Sequence, residues 1–355
     1  MEASITKRNQ SLDIIRCIAI FSVVCEHTSS STLTGLPYIL MNTAGTIGVP
    51  LFVMLTGYLM LDRNYDSTYT KKYIYRNVIP LIVCFELWNI IWFALSHFIG
   101  NSPISLEHCL KVALFMAPTD NGMWYLPMII GLYLGIPIVS HTIQWIKNNS
   151  IHEYAIMLII LLIAFGTLIP TISQITAIFS PQLNPIDGVL TLNIFGANVW
   201  GNSVWILFLI TGYVIKKKYL EIPNVATACI ALLSGICLAF FHYIAAQHGL
   251  AWDTYYANIL LVLFSISLFS FIEKVFTNHG TTPIDQIIYI TARYSFSIYM
   301  IHYWIIDIYI SLIPNNINMI VDFVSCFVLC IAASTLIAYL TSRIVLCRKW
   351  LLLIK

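Results

Sequence analysis

Charged side chains are scarce in this chain. Only 10% of its 355 residues are Asp, Glu, Lys or Arg, whereas soluble globular domains have about 25%. In contrast, 59% of the residues are hydrophobic and the mean hydropathy is +0.83. No basic patch stands apart from the apolar runs, which argues against a nucleic-acid partner. The composition predicts an all-α polytopic membrane helix bundle with the lipid bilayer as its surroundings.

Paired cysteines and metal-binding motifs are lacking as well. The nine cysteines are scattered singly and form no CxxC pair, and Cys326 and Cys330 have no His or second Cys pair beside them. Most lie in apolar runs, where a thiol acts as a small hydrophobic side chain. We therefore expect no disulfide and no metal. Residues 1–12 lack an apolar signal region, so the first span is expected to be retained.

Ten hydrophobic runs are long enough to cross a bilayer core of about 30 Å. With the N-terminus inside, all of the 18 Lys and Arg except Lys111 and Arg16 lie in inner segments. The positive-inside rule then predicts ten transmembrane helices with both termini in the cytoplasm. The runs cover residues 13–32, 44–61, 78–99, 122–145, 153–170, 200–216, 224–245, 256–272, 294–313 and 318–342.

Arg16 and His27 lie eleven positions apart in the first run. On an α-helix this spacing is three full turns plus about 20°, so both side chains share one face, separated by roughly 16 Å along the axis. Arg16 can simply anchor the helix among lipid headgroups. An imidazole inside the membrane is either a functional group or a buried, hydrogen-bonded histidine. Glu26 points about 80° away from Arg16 and is expected off this face.

Further ionisable side chains occur in other runs. Glu86, in the third run, reaches a depth comparable to that of His27 and can either orient the imidazole or pair with another helix. In the ninth run Ser295, Tyr299 and His302 share one helix face because they are four and three residues apart. Two intramembrane histidines on different helices favour function more strongly than either one alone.

Cationic and aromatic residues mark the edges of the runs. Lys72 and Arg76 belong to a basic inner loop that begins at Arg63. Such a cluster flanks a helix or touches anionic lipid, and it serves equally to bind the phosphates of a cytosolic donor. Trp124 and Tyr125 open the fourth run at the outer surface, where aromatic residues usually anchor a helix in the interface.

Five motifs in this order resemble the acyltransferase-3 family of membrane acyltransferases. The resemblance covers nearly the whole chain, as a single transmembrane domain over residues 1–355, with relatives expected among the O-acetyltransferases of bacterial surface polysaccharides such as enterobacterial common antigen. Val53 and Thr56 depart from the family pattern and receive no role. No appended periplasmic hydrolase-like domain is expected. The motifs are Ser11–Arg16 followed by His27, Val49–Tyr58, Arg76–Pro80, Met123–Leu126 and Ser297–His302.

The resemblance implies transfer of an acetyl group from cytosolic acetyl-CoA to a hydroxyl of a surface or undecaprenyl-linked glycan, outside the bacterial inner membrane. A sugar hydroxyl needs a positioned base, so His27 is expected either to deprotonate it or to carry the acyl group. The remaining residues receive roles by the same resemblance: Arg16, Glu86 and His302 as catalytic candidates, Arg16, Arg76 and Lys72 at the donor, and Trp124, Tyr125 and Tyr299 at the acceptor.

Two other functions remain open from the sequence. Intramembrane His, Arg and Glu also suit a proton-coupled transporter of a lipid-linked sugar or a small metabolite, although we find no internal repeat that would support one. The chain can also be a non-catalytic partner in glycan assembly. The acceptor sugar, the length of the acyl group and the oligomeric state are left undetermined.

Overall fold

Helices make up nearly all of the described chain, because only a helix or a closed barrel satisfies its backbone hydrogen bonds within a bilayer. The two strands found, Asn193–Ile194 and Ala197–Asn198, form a short antiparallel pair. The computed structural model describes residues 9–98, 105–117, 123–179, 203–219, 221–249, 256–276, 282–313 and 318–354, together with the backbone of those strands.

The α-helices are numbered α1 to α14 in chain order, and three π-helical turns accompany them. They are α1 Gln10–Thr32, α2 Gly35–Gly45, α3 Gly48–Met60, α4 Ser67–Tyr73, π-turn Ile74–Val78, α5 Ile79–Phe98, α6 Leu106–Ala113, α7 Tyr125–Asn148, α8 His152–Ile163, π-turn Ala164–Leu168, α9 Ile169–Phe179, α10 Ser203–Lys216, α11 Asn224–Gln247, α12 Ile259–Val275, α13 Pro283–Leu312, α14 Met319–Thr341 and π-turn Cys347–Leu351.

Each of the ten predicted runs contains helix within its described residues, which confirms the all-α polytopic class. Among the described residues, seven helical stretches are both long and apolar enough to cross a membrane. Helix α1 is not among them, and it carries three charged side chains; α10 and α12, with 14 and 17 residues, are shorter than a typical span. The seven are Gly35–Met60, Ser67–Phe98, Tyr125–Asn148, His152–Phe179, Asn224–Gln247, Pro283–Leu312 and Met319–Thr341.

Two of the π-helical turns precede an Ile-Pro pair. Proline has no N–H, and in a regular helix its ring clashes with the carbonyl four residues earlier. Before Pro80 the helix widens instead, and the N–H of Ile79 donates to the carbonyl of Ile74, five residues back. The turn Ala164–Leu168 repeats this arrangement. Each helix therefore continues through its proline, and the predicted basic loop is replaced by helix from Ser67 onward.

A Thr-Gly-Tyr sequence occurs in both α3 and α10, and the two copies pack together. A Cβ added at Gly57 would overlap the Leu209 carbonyl, and one added at Gly212 would overlap the Met54 carbonyl. Only glycine permits two helix backbones to approach so closely. The sequence shows no long repeat, but this three-residue recurrence marks a close crossing of α3 and α10.

An ion-pair cluster joins the ends of the same two helices. Asp62, which follows α3, accepts from Lys217 Nζ at 2.5 Å and lies 3.4 Å from Lys216 Nζ. Burial raises the pKa of the Asp62 carboxyl, but the hydrogen bonds and positive charges of the two lysines outweigh it, so the pKa is lowered overall. The predicted inner surface is thus held by charge as well as by close packing.

The chain divides into two compact units. The first contains residues 1–62, 142–292 and 316–327, and the second contains residues 63–141, 293–315 and 328–355. Arg16 and His27 belong to the first unit. Glu86, Arg76 and His302 belong to the second.

Candidate active site

Helix α1 carries both members of the Arg16 and His27 pair on one uninterrupted α-helix. Its start is capped by Asn9, whose side-chain oxygen accepts from the N–H of Ser11. Both side chains are partly accessible, whereas their immediate neighbours in the chain, such as Ile15 and Glu26, are buried. The spacing that the sequence predicts is therefore present in the structure.

Arg16 is held by a carboxylate that the sequence reading left without a role. Its Nη1 donates to Asp13 Oδ1 at 2.6 Å, and the two side chains are 24% and 7% exposed. The pair lies three residues apart on the helix, the spacing at which side chains meet. A guanidinium has five N–H donors, so the others are available for a ligand. Asp13 was recognisable from this spacing within the first motif.

His27 is followed by a run of hydroxyl side chains that bond to their own helix. Thr28 donates to the carbonyl of Val24 at 2.7 Å, and Ser31 donates to that of His27 at 3.0 Å. Hydroxyl-bearing residues commonly make such bonds within helices. Since these hydroxyl protons are already engaged, His27 is the side chain in this stretch best suited to exchange a proton or an acyl group.

Between Arg16 and His27 the same face of α1 is filled by apolar side chains. Ile20 and Val23 are 0% and 2% exposed, and Gly48 of α3 packs directly against Val23. A groove of about 610 Å³ in this unit is lined by residues of α2, α11 and α12 instead. Ile20 and Val23 therefore leave no open space between the two side chains along this face of the described helix. An acyl group following it must displace the packing.

Glu26, which the helix spacing places off the Arg16 face, is buried. It is 7% exposed and makes no side-chain hydrogen bond or ion pair with the described residues. Gly45 of α2 leaves room for it, because a Cβ there would lie 2.7 Å from the Glu26 backbone. On the next turn, Asn42 Nδ2 donates to Ser30 Oγ at 3.3 Å. These contacts between α1 and α2 fix the position of the helix segment that carries His27.

In the second unit, His302 lies in an aromatic cluster and is 1% exposed. Its Nδ1 lies 2.5 Å from the carbonyl oxygen of Tyr299, and Cys330 Sγ donates to the His302 carbonyl at 3.5 Å. A carbonyl only accepts, so Nδ1 carries the proton and the lone pair is on Nε2. The rings of Tyr299 and Tyr125 meet edge-on, with centroids 5.3 Å apart. Tyr299 and His302 thus share one face of α13, as their spacing predicts, and Tyr125 of α7 contacts Tyr299.

The basic residues that the resemblance places at the donor lie on helices. Lys72 is in α4 and Arg76 in the following π-turn, and both are exposed. The Arg76 side chain makes no hydrogen bond or ion pair to another described residue, and π-turns often occur at functional sites. Arg63 Nη1 donates to the hydroxyl of Tyr69 at 2.9 Å. These cations offer phosphate-binding groups on one short stretch of chain.

Two predicted residues stand apart from these groupings. Glu86 is half-buried on α5 in the second unit, while His27 is in the first unit, so a role in orienting His27 stays a prediction. Trp124 precedes α7 and is 39% exposed, as an interfacial anchor would be. Within the described part of the chain, no three His, Cys, Asp or Glu side chains come close enough to hold a metal ion.

Comparison with known proteins identifies the family. The family model described as "acyltransferase domain", of the acyltransferase-3 type, matches residues 9–339. An amino-acid racemase of Enterococcus faecalis is 30% identical over 137 residues, which is 36% of this chain and only 19% of the racemase. No solved structure matches the chain. Because the family model covers nearly all of the sequence, this membrane protein belongs to the acyltransferase-3 family.

Proposed function

We propose that this acyltransferase moves an acetyl group from cytosolic acetyl-CoA to a hydroxyl of a cell-surface or undecaprenyl-linked glycan, across the bacterial inner membrane. The observation that carries the proposal is the arrangement on α1, where a guanidinium and an imidazole are both partly accessible on one unbroken helix while their neighbours are buried. A cation suits the polyanionic donor, and a titratable ring suits the reacting hydroxyl.

The chemistry assigned to His27 is a proton or an acyl transfer. In direct transfer, the imidazole takes the hydroxyl proton, the oxygen attacks the thioester carbonyl, and the C–S bond breaks. The thiolate of CoA then receives the proton. In the two-step route, the imidazole nitrogen attacks first and releases CoA, and the acyl-imidazole is then attacked by the sugar hydroxyl. Both routes give the same products, an acetyl ester and CoA thiol.

The donor is proposed to use Arg16, Arg76 and Lys72. Arg16 keeps N–H donors available beside Asp13, and Arg76 and Lys72 are exposed cations. Phosphates are bound well by guanidinium groups, which present several N–H donors in one plane. Tyr125, Tyr299 and Trp124 are proposed to contact the acceptor, and Glu86 is proposed to bind it. His302 is proposed to hold the aromatic cluster of Tyr125 and Tyr299 in place.

Comparison of surface glycans tests the function directly. Cells that lack the gene should lose a set of acetyl esters, seen as mass differences of 42 daltons per acetyl group in the released glycans. Wild-type protein should restore these esters, whereas His27→Ala protein present at the same level should not. Identical acetyl content in all three strains would contradict the proposal, as would full restoration by His27→Ala.

A second candidate is a proton-coupled carrier of a lipid-linked sugar or a small metabolite. Buried Glu26, with no partner among the described residues, favours it, because such carboxyls often carry protons in transporters. Export that fails in a Glu26→Gln variant while glycan acetylation persists would support the carrier. The racemase activity named for the E. faecalis relative is not extended to this chain, since the match spans about a fifth of that protein.

A further inference from the structure

Two buried indoles in the second unit have N–H groups without an acceptor. Trp92 of α5 and Trp304 of α13 stack with ring centroids 4.0 Å apart and planes tilted by 26°. Trp92 is 5% exposed, and both Nε1 atoms are inaccessible and make no hydrogen bond within the described residues. A buried donor without an acceptor is costly, and native proteins retain few of them. Two such donors in one ring stack therefore point to a missing partner.

Two more polar groups lie on the same stretch of α5. Asn89, one turn before Trp92, is 4% exposed, and its Nδ2 also has no acceptor at hydrogen-bonding geometry. The Glu86 carboxylate, a further turn back, interacts with the Asn89 side chain. The group thus consists of several N–H donors and one carboxylate, which we call the indole–amide cluster (Glu86, Asn89, Trp92 and Trp304).

The composition of the indole–amide cluster selects among ligands. Its donors carry four N–H hydrogens, two on the amide and one on each indole, whereas one carbonyl oxygen has only two lone pairs. A single thioester carbonyl therefore cannot satisfy them. A phosphate or carboxylate would be repelled by Glu86. A neutral molecule with several hydroxyl groups fits, since each hydroxyl oxygen accepts from N–H and each hydroxyl proton can be donated to the carboxylate.

The position of the cluster along the helices agrees with an outer ligand. Trp92 lies six residues before the end of α5, about 9 Å, and Trp304 lies eight residues before the end of α13, about 12 Å. In the orientation that the loop charges predict, both ends face outward. Trp304 is itself partly exposed, and Asp307, one turn nearer the end of the helix, is exposed. A ligand arriving from outside meets Trp304 first.

We propose that the indole–amide cluster is a sugar-binding subsite, in which hydroxyl groups of the acceptor glycan accept from Trp92 and Trp304 and donate to Glu86. The inference rests on the proposed function for the identity of the glycan. Helix geometry puts Trp304 roughly 160° around α13 from His302, so this subsite lies on the other side of that helix. It would hold a sugar ring away from the reacting hydroxyl and so contribute to acceptor affinity rather than to the chemical step.

The test compares Trp92→Phe with a matched control on the same helix. Trp88→Phe removes an indole N–H that is satisfied, because Trp88 Nε1 donates to the Leu351 carbonyl at 3.0 Å. Full-length protein in lipid nanodiscs is titrated with the lipid-linked glycan fraction extracted from cells that lack the gene. Acetyl transfer gives KM for the extract and for acetyl-CoA, and quenching of tryptophan fluorescence reports binding separately. Thermal unfolding of each variant monitors folding.

We expect Trp92→Phe to raise KM for the extract about two- to tenfold, the loss of the one neutral hydrogen bond that an indole N–H donates. KM for acetyl-CoA and the unfolding temperature should be unchanged. Trp88→Phe should lower the unfolding temperature and leave both KM values unaltered. Unchanged KM and binding in Trp92→Phe, or equal quenching by a lipid extract without glycan, would overturn the proposal. If no variant transfers acetyl but the extract still binds in a Trp92-dependent way, the proposed function fails and the subsite stands.

Discussion

The two histidines that the sequence singles out occupy opposite environments. His27 is partly accessible near the end of α1, beside hydroxyl groups bonded to their own helix. His302 is 1% exposed, and its Nδ1 is bound to the carbonyl one turn earlier in α13. A reacting group must meet its substrate, whereas a buried ring with a fixed proton mainly holds its surroundings in place. The same residue type is therefore proposed to react at one position and to support the fold at the other.

Replacing His27 should have the largest effect. His27→Ala is expected to lower the rate of acetyl transfer by about 10²- to 10⁴-fold, the usual contribution of a positioned acid or base. Initial rates of purified protein measure it. Unfolding temperature should be unchanged, and His152→Ala, at an exposed position in the first turn of α8, should behave as wild type. A fall of less than threefold in His27→Ala would remove His27 from the mechanism.

His302 should matter chiefly for stability. His302→Ala leaves a cavity in a buried aromatic cluster, and loss of a large buried side chain usually costs about 2–4 kcal/mol of unfolding free energy. Chemical denaturation in detergent micelles measures this cost. The transfer rate per folded molecule should stay within about tenfold of wild type. If His302→Ala instead abolished transfer without lowering stability, both histidines would be catalytic and the contrast between them would disappear.

The Arg16–Asp13 pair separates donor binding from helix stabilisation. Arg16→Ala should raise KM for acetyl-CoA at least about tenfold, because a hydrogen bond to a charged group is worth about 1.5–3 kcal/mol. Asp13→Asn keeps the guanidinium and removes the competing carboxylate, so KM should not rise. Steady-state kinetics at varied acetyl-CoA measure both variants. If Arg16→Ala and Asp13→Asn raised KM for acetyl-CoA equally, the ion pair would be purely structural.

Asp62 should give the smallest effect. Its lowered pKa means that the folded protein favours the carboxylate, so its contribution to stability is present above the unfolded pKa of about 3.9 and is lost as pH falls through the lower, folded value. At neutral pH, Asp62→Asn should reduce unfolding free energy by less than about 1 kcal/mol. The difference between variant and wild type should vanish at acidic pH. A difference that persists below the folded pKa would exclude this cause.

The hydropathy pattern over long runs and the fixed spacing of residues within a helix predicted the structure correctly. Local departures from regular helix were not predicted. Hydropathy located every one of the predicted helical runs, and a fixed spacing placed Arg16 with His27 and Tyr299 with His302. The π-turn containing Arg76 was predicted as a loop, although Pro80 four residues later supplies its physical cause. Hydropathy averages over many residues and does not register a single missing N–H.

The sequence also did not predict which side chains contact each other between different helices. Glu26 is expected only to lie off the Arg16 face, whereas its burial depends on Gly45 of α2, nineteen positions away. The stack of Trp92 on Trp304 joins residues more than two hundred positions apart. Asp13 differs from these cases, because its position one helical turn from Arg16 follows from the sequence alone. Contacts between helices require the packing, whereas contacts within one helix follow from spacing.

The most direct test of the account is a sided transfer assay. Protein reconstituted in sealed vesicles, with orientation determined by protease accessibility of the N-terminus, receives radiolabelled acetyl-CoA on one side and the lipid-linked glycan extract on the other. Labelled glycan is expected when acetyl-CoA is on the side of the N-terminus, and none when the two substrates are exchanged or when His27 is replaced by alanine. Absence of label in both arrangements with wild-type protein, or equal labelling by His27→Ala, would contradict this expectation.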